Sequence, residues 1–321
     1  MSRSPNQKLK LLALLDILRT ETDEDHPLST PELIAALADR EIPAERKSIY
    51  ADVAALQDLG YDVVLDKGRG YYLASREFEP AELKLLCDAV DSSRSISRAK
   101  SRTLIKKLSQ FCSRHQRSQL RLGDGTLKTA NESVLYSIDA LQEALIANKA
   151  VSFRYFRYDH TKQRIYGHSG DRYTVSPAGL LQNDNSYYLV ALVDGQTRHY
   201  RVDRMEQLEV LKEDRVPGCG NFDLTAHARR HFGMFSGPLR QVKLKCPAQL
   251  TTSVLDRFGL DAMLIPAGPD SFTVTVEAAV SQQFYGWLFG LGPEVEVLAP
   301  ADIRREYAAR LGQAVTTHND A

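Results

Sequence analysis

The spacing of hydrophobic residues in this 321-residue chain changes near Val151, and that change constrains the fold more than any other feature. Before it, apolar residues recur every three or four positions, as on the buried face of an α-helix. After it they alternate with polar residues, as in strands with one buried face. Because the chain is too long for one ordinary core, the pattern predicts a multidomain α+β protein.

Three helices and a hairpin are predicted in residues 1–76. The first helix, Lys8–Arg19, carries leucines at three-residue steps, among them Leu9 and Leu12. Thr30 before Pro31 suits the N-cap of a second helix that ends near Arg40.

A third helix is predicted from about Ala44 to Gly60, with a buried face that continues as far as Leu59. Two short apolar runs, Val63–Leu65 and Tyr71–Leu73, flank a Gly-containing turn and predict a hairpin.

The middle of the chain is helical and strongly basic. Helices are predicted from Pro80 onward and over Val134–Ile146, within a helical linker of residues 77–147. From Ser92 to Lys128 there are ten Lys and Arg residues against one acid, Asp124. A helix face solvated by water and a surface that attracts nucleic acid both fit this excess.

Short strands dominate the segment 148–216 and predict a small barrel. Its five candidate strands are Val151–Tyr158, Arg172–Pro177, Ser186–Val193, Arg198–Met205 and Leu208–Leu211. In residues 217–321, strands and helices alternate and predict a compact α+β end domain.

Several motifs in this order resemble the WYL-domain transcriptional regulators. They are the helix motif Arg46–Leu56, the hairpin Gly68–Leu73, the strand motifs Val151–Tyr155, Tyr173–Pro177, Ser186–Val190 and Arg198–Met205, and the C-terminal stretch Val295–Pro300. Tyr187 stands where the family signature has Trp, and Ala51 where many relatives have Arg. The resemblance implies a DeoR-like winged helix-turn-helix, a small Sm/SH3-like β-barrel (WYL), and a ferredoxin-like C-terminal extension that dimerises.

The resemblance implies that the third helix reads double-stranded operator DNA. A recognition helix presents its early polar residues to the major groove. The candidates for DNA contact are Arg46, Lys47, Ser48 and Tyr50 on that helix, with Lys67 and Arg69 in the hairpin. Residues 1–76 hold ten basic and thirteen acidic residues, so DNA attraction has to come from their placement on one face. A winged helix used for protein contacts is the alternative.

The resemblance implies that the barrel senses an effector. Guanidinium groups beside aromatic rings suit phosphates and bases, which favours a small anionic or nucleotide-like effector. The candidate effector-binding residues are Tyr155, Ser176, Tyr187, Tyr188, Arg198, His199, Arg201 and Arg204. Strand alternation places Arg198 and Arg204 on one face, and His199 and Arg201 on the other, more open one. In the alternative, Arg204 and Asp203 form structural ion pairs and the tyrosines belong to the core.

No catalytic motif or cofactor-binding motif appears in the sequence. His227 and His231 lie four residues apart on a predicted helix, a spacing that can bind zinc. Without CxxC, HExxH or a carboxylate pair, ordinary surface histidines are the expectation, with no metal and no cofactor.

Together these features predict a DNA-binding regulator, a repressor, that acts as a homodimer and is not an enzyme. A single-stranded nucleic-acid-binding accessory protein is the alternative. Four cysteines without a CxxC pair, and no apolar run long enough to span a membrane, predict a cytoplasmic location.

Overall fold

A computed structural model describes residues 6–120 and 127–319. Helices come first in the chain and sheets follow, as the change in hydrophobic spacing predicts. The chain divides into two units, residues 1–132 and 133–321. This boundary lies inside the predicted linker 77–147. In the described ranges, no helix is both long enough and apolar enough to cross a membrane.

The first unit begins with three helices around one core. They are α1 (Asn6–Glu21), α2 (Thr30–Ala38) and α3 (Arg46–Asp58). Their buried apolar residues include Leu14, Ile17, Leu18, Leu33, Leu37, Ile49, Val53 and Leu56.

The buried face of α1 differs from the leucine stripe that the sequence predicts. Leu9 and Leu12 are exposed, whereas Lys10 is buried and its ammonium group lies 2.8 Å from the carboxylate of Asp52 on α3. The buried apolar face of α1 begins at Leu14. A buried charge needs a partner, and because the partner belongs to another helix, the helical period of α1 alone does not identify the buried lysine.

Two helix ends also differ from the prediction. Ser29, not Thr30, is the N-cap of α2, and its backbone N–H donates to the Glu32 carboxylate over 2.8 Å in a capping box. Leu59 lies beyond the end of α3 and is largely exposed.

A two-stranded hairpin follows, made of β1 (Val63–Asp66) and β2 (Gly70–Leu73). Tyr71 pairs with Leu28 in front of α2, so the hairpin is held against the helices. Gly70 has a positive φ of 140°, and a Cβ atom there would lie 2.2 Å from the main-chain carbon of Leu28. Only glycine fits this close approach.

Two further helices follow in the first unit, α4 (Pro80–Ser92) and α5 (Arg98–Leu108), and two short 3₁₀ turns come after them. They pack around Leu83, Cys87 and Ile105. The solvent side of α5 carries Arg102, Lys106 and Lys107, which are exposed. Arg121 and Asp124 of the predicted basic stretch lie outside the described residues.

The second unit opens with α6 (Val134–Ile146), which packs on a curled half-barrel sheet. The strands are β3 (Lys149–Tyr158), β4 (Arg164–Tyr166), β5 (Tyr173–Asn183), β6 (Ser186–Val193), β7 (Gln196–Arg201) and β8 (Met205–Asp214). They follow the order β4-β3-β5-β6-β7, and β8 also pairs with β3. The core contains Phe153 and Tyr200, with ring centroids 5.2 Å apart.

The predicted strand Arg198–Met205 is interrupted. Strand β7 ends at Arg201, a single 3₁₀ turn spans Val202–Arg204, and β8 begins at Met205. The turn lets the neighbours Val202 and Asp203 both be buried, which a regular strand facing solvent on one side would not allow. Simple alternation therefore does not assign Arg204 to a face.

The rest of the second unit contains a helix and a four-stranded sheet with further helices. These elements are α7 (Leu224–Arg230), β9 (Leu239–Pro247), α8 (Thr251–Phe258), β10 (Leu264–Pro266), β11 (Ser271–Ala279), α9 (Gln282–Gly290), β12 (Glu296–Ala299) and α10 (Ala301–Asn319). The strand order is β10-β11-β9-β12, with all neighbours antiparallel. Phe284 and Leu288 of α9 are fully buried in the core of this part.

Candidate functional sites

Two predicted DNA-contacting residues, Arg46 and Lys47, open α3 and are exposed. The Nε atom of Arg46 donates to the hydroxyl of Tyr50 over 2.6 Å, one turn later on the same helix. This hydrogen bond, together with one from Thr30, lowers the pKa of Tyr50. The start of α3 thus presents a fixed guanidinium and phenol, with a lysine beside them.

Ser48 has a structural role at the start of α3. Its hydroxyl donates to the carbonyl of Glu45 over 2.8 Å and accepts from the Glu45 N–H over 3.3 Å. These bonds satisfy main-chain groups at the helix N-terminus, and they engage the hydroxyl that was predicted to contact phosphate.

The two basic residues of the hairpin differ in their surroundings. Lys67 is exposed in the turn between the strands. Arg69 donates to the carbonyl of Asp25 over 2.6 Å and to the carboxylate of Asp66 over 3.1 Å. Arg69 therefore anchors the hairpin to the segment between α1 and α2 while half of its side chain faces solvent.

A groove of about 510 Å³ brings these elements together. Its walls are the start of α2 at Thr30 and Pro31, the start of α3 at Arg46 and Tyr50, and the hairpin at Arg69. Two guanidinium groups and the first turn of α2 face the same groove. Such a surface suits phosphate oxygens, because guanidinium groups and helix N-termini both bind anions.

Four of the predicted effector-binding residues lie together in the half-barrel. They are Tyr155, Tyr188, Arg201 and Arg204, and we call them the tyrosine–arginine site. Tyr188 on β6 pairs with Arg201 on β7, and the hydroxyl of Tyr155 accepts from the backbone N–H of Arg201 over 3.1 Å. Burial raises the pKa of Tyr155 and of Tyr188, while the charges of Arg201 and Arg204 act in the opposite direction.

Arg201 is less open than strand alternation predicts. Its guanidinium makes two hydrogen bonds to Asp203, Nε to Oδ1 over 3.0 Å and a terminal nitrogen to Oδ2 over 2.9 Å. The side chains are 26% and 9% exposed. A structural ion pair of Asp203 therefore exists, but the arginine in it is Arg201, whereas the alternative named Arg204.

Two other predicted ligands lie away from this site. Ser176 is buried, and its hydroxyl accepts from the backbone N–H of Val216 over 3.0 Å. Tyr187, the residue at the Trp position of the family signature, packs against the barrel core. Both contribute to the framework of the half-barrel.

Arg198 and His199 lie outside the tyrosine–arginine site, beside α7. His199 contacts His227 and His231, with ring centroids 4.9 and 5.0 Å away. The expectation that His227 and His231 are surface histidines is wrong, because their exposed fractions are 7% and 5%. The four-residue spacing marked this pair in the sequence, whereas the third histidine comes from a strand and only tertiary packing brings it there.

Comparison with known proteins identifies two domains in the second unit. Residues 137–210 match the WYL domain, and residues 238–315 match the WCX domain. No curated protein sequence matches the chain significantly.

Two solved structures are similar to the chain at low identity. One is proteasome accessory factor B/C (PafBC) of Arthrobacter aurescens, with 17% identity, a TM-score of 0.32, and coverage of 97% of this chain and 48% of that one. This chain thus spans about half the length of that structure. The other is a CRISPR Cas-related protein, with 13% identity, a TM-score of 0.37, and coverage of 98% and 85%.

Proposed function

We propose that this chain, which carries a WYL and a WCX domain, is a DNA-binding transcriptional regulator whose WYL domain senses an anionic, nucleotide-like effector. In this proposal residues 1–76 are a winged helix-turn-helix, the half-barrel is the Sm/SH3-like sensor, and the C-terminal sheet is a ferredoxin-like domain. The regulator is a cytoplasmic homodimer that represses transcription, and it is not an enzyme.

The observation that carries the proposal is the groove between α2, α3 and the hairpin. Residues 1–76 carry more acids than bases, so overall charge does not favour DNA. Arg46, Lys47 and Lys67 are nevertheless exposed on elements that flank this groove. Basic residues concentrated at a helix start and a hairpin suit a major-groove helix flanked by backbone contacts.

The tyrosine–arginine site supports the sensing part of the proposal. Arg201 is held by Asp203, so it shapes the site while Arg204 supplies charge for an anion. Two phenol rings beside these groups suit a nucleobase. An effector changes DNA affinity only if it binds one arrangement of the protein more tightly than another.

The first experiment is footprinting on the DNA upstream of the protein's own coding region, followed by titration with Arg46→Ala and Lys47→Ala. Loss of a base contact should weaken specific binding by about 1–3 kcal/mol. Loss of a phosphate contact should instead weaken binding to all sequences and reduce the salt slope by about one. Arg304→Ala, an exposed arginine of α10, is the matched control and should bind like the wild type.

Two results would contradict this function. If Arg46→Ala and Lys47→Ala both bind like the wild type, α3 is not the DNA contact. If the protein prefers single strands over every duplex, including its own upstream DNA, the accessory-protein alternative replaces promoter regulation.

The second experiment tests the effector. Nucleotides and short single-stranded oligonucleotides are titrated by fluorescence anisotropy into wild type, Arg204→Ala and Arg198→Ala. Removing one charge-assisted contact costs about 1.5–3 kcal/mol, so Arg204→Ala should bind at least about tenfold more weakly. Arg198 lines the cleft beside α7 instead, so its variant should keep wild-type affinity. If Arg198→Ala instead binds the effector more weakly than Arg204→Ala does, the effector site lies in that cleft.

A further inference from the structure

Three histidines from two separate elements meet at one point of the second unit. His199 lies on β7, His227 lies on α7, and His231 directly follows α7. The Nε2 atoms of His199 and His227 are 2.6 Å apart, and one ring nitrogen from each of the three lies within 4.8 Å of the others. We call these residues the histidine cluster.

Two of the three rings have their Nδ1 atoms beside oxygen atoms. Nδ1 of His231 lies 2.8 Å from the carbonyl of His227, to which it donates. Nδ1 of His199 faces the hydroxyl of Ser236 at 3.4 Å. When one ring nitrogen is held by an oxygen, the other is oriented as a ligand, as the outer contacts of metal-binding histidines do.

Burial of the cluster disfavours the charged form of its imidazoles. It lowers the pKa of His199 to about 4 and that of His227 to about 3, and it lowers the pKa of His231 as well. The neutral form is the one in which histidine binds metals. The two Nε2 atoms at 2.6 Å have room for at most one proton between them.

We propose that His199, His227 and His231 bind one divalent transition-metal ion of the Zn²⁺ type through their Nε2 atoms. In a tetrahedral site with Zn–N bonds of about 2.1 Å, ligand nitrogens lie about 3.4 Å apart. The separations in the cluster, from 2.6 Å up to within 4.8 Å, bracket that value.

The fourth position of such an ion opens on a cleft of about 700 Å³. The cleft is lined by His227 and His231 together with Arg198, Asp223, Arg230 and Ser236. Arg230 is paired with Glu277 over 2.7 Å, and Asp223 accepts from the backbone of Ala226 over 2.9 Å. Arg198, whose guanidinium donates to the neutral side chain of Gln196, offsets a negative charge there, so the cleft suits water or a small anion as the fourth ligand.

The test uses full-length protein freed of metal by chelation. Zn²⁺ is titrated in competition with a chromophoric chelator, and one ion per chain is expected. His199→Ala, His227→Ala and His231→Ala should each bind Zn²⁺ more than about 100-fold more weakly, since losing a ligand costs more than losing an outer contact. His160→Ala removes an exposed histidine and is the matched control with wild-type affinity. Mg²⁺ should not compete, because imidazole is a poor ligand for it.

A wild-type measurement covers variants that fail to fold. The Co²⁺-loaded protein should show the intense visible bands of a tetrahedral ion, and X-ray absorption of the Zn²⁺ form should show imidazole nitrogens without sulphur. The proposal is overturned if the wild type does not bind Zn²⁺ at micromolar concentration, if a sulphur ligand appears, or if folded cluster variants bind like His160→Ala.

Discussion

Arg201 is the residue in which stability and proposed function are hardest to separate. An exposed arginine contributes little to stability, which is what strand alternation predicts for this position. The structure instead places it in a two-bond pair with Asp203, whose carboxylate is almost fully buried. Removing the guanidinium breaks both hydrogen bonds to that buried carboxylate, so an effect on the effector response alone is not expected.

We therefore predict that Arg201→Ala both weakens effector binding and destabilises the fold. The loss of unfolding free energy should be about 1–3 kcal/mol, the usual cost of removing one partner from hydrogen bonds to a buried group. Urea unfolding of Arg201→Ala, Asp203→Asn and the double variant measures the coupling between the two side chains. Additive effects would mean that the pair does not contribute, and wild-type stability of Arg201→Ala would contradict the prediction.

At the scale of elements, the hairpin depends on a close main-chain contact with the segment before α2. Gly70 and Gly68 both have positive φ, but only Gly70 lies against another part of the chain. A side chain at Gly68 would point into open space. Substituting these two glycines therefore distinguishes the cost of a positive φ alone from the added cost of a clash with Leu28.

We predict that Gly70→Ala is clearly more destabilising than Gly68→Ala. Gly68→Ala should cost about 1–2 kcal/mol, the penalty of a left-handed conformation with a side chain. Gly70→Ala should add the displacement of Leu28, and so loosen the hairpin and weaken DNA binding. Denaturant unfolding and operator titration of both variants provide the comparison. Equal losses of stability would show that the Leu28 contact is unimportant.

At the scale of the whole molecule, the question is which apolar surface remains for a second copy. Helix α6 uses the apolar side chains of Val134, Leu141 and Ala144 within its own half-barrel. Large apolar side chains that remain exposed in the second unit include Tyr136, Ile146, Leu260, Met263 and Phe289. Dimerisation through the second unit fits the proposed DNA binding, because a dimer of helix-turn-helix proteins binds two DNA half-sites.

We predict a homodimer in light scattering at micromolar concentration, with or without DNA. Met263→Glu combined with Phe289→Glu should shift the protein toward monomer, because charges are costly in an apolar interface. Leu12→Glu, at an exposed leucine of α1, should leave the dimer intact. A monomeric wild type would contradict the dimer itself, and unchanged mass of the double variant would place the interface elsewhere.

The sequence alone located most helices and strands because their signal is local. Strand Ser186–Val193 and helix Val134–Ile146 have the predicted bounds. The three-residue strands Arg164–Tyr166 and Leu264–Pro266 were missed, since so few residues do not establish a period. The sequence motifs also indicated a resemblance to the WYL-domain regulators, and residues 137–210 match the WYL domain.

Tertiary structure alone decided which polar side chains share a site. Lys10 is buried because Asp52 lies opposite it on α3, and Arg201 is held because a 3₁₀ turn brings Asp203 back to it. His199 meets a histidine 28 positions later in the chain. Hydrophobic periodicity reports which face of an element is apolar, but the partner of a buried charge or imidazole depends on how separate elements pack.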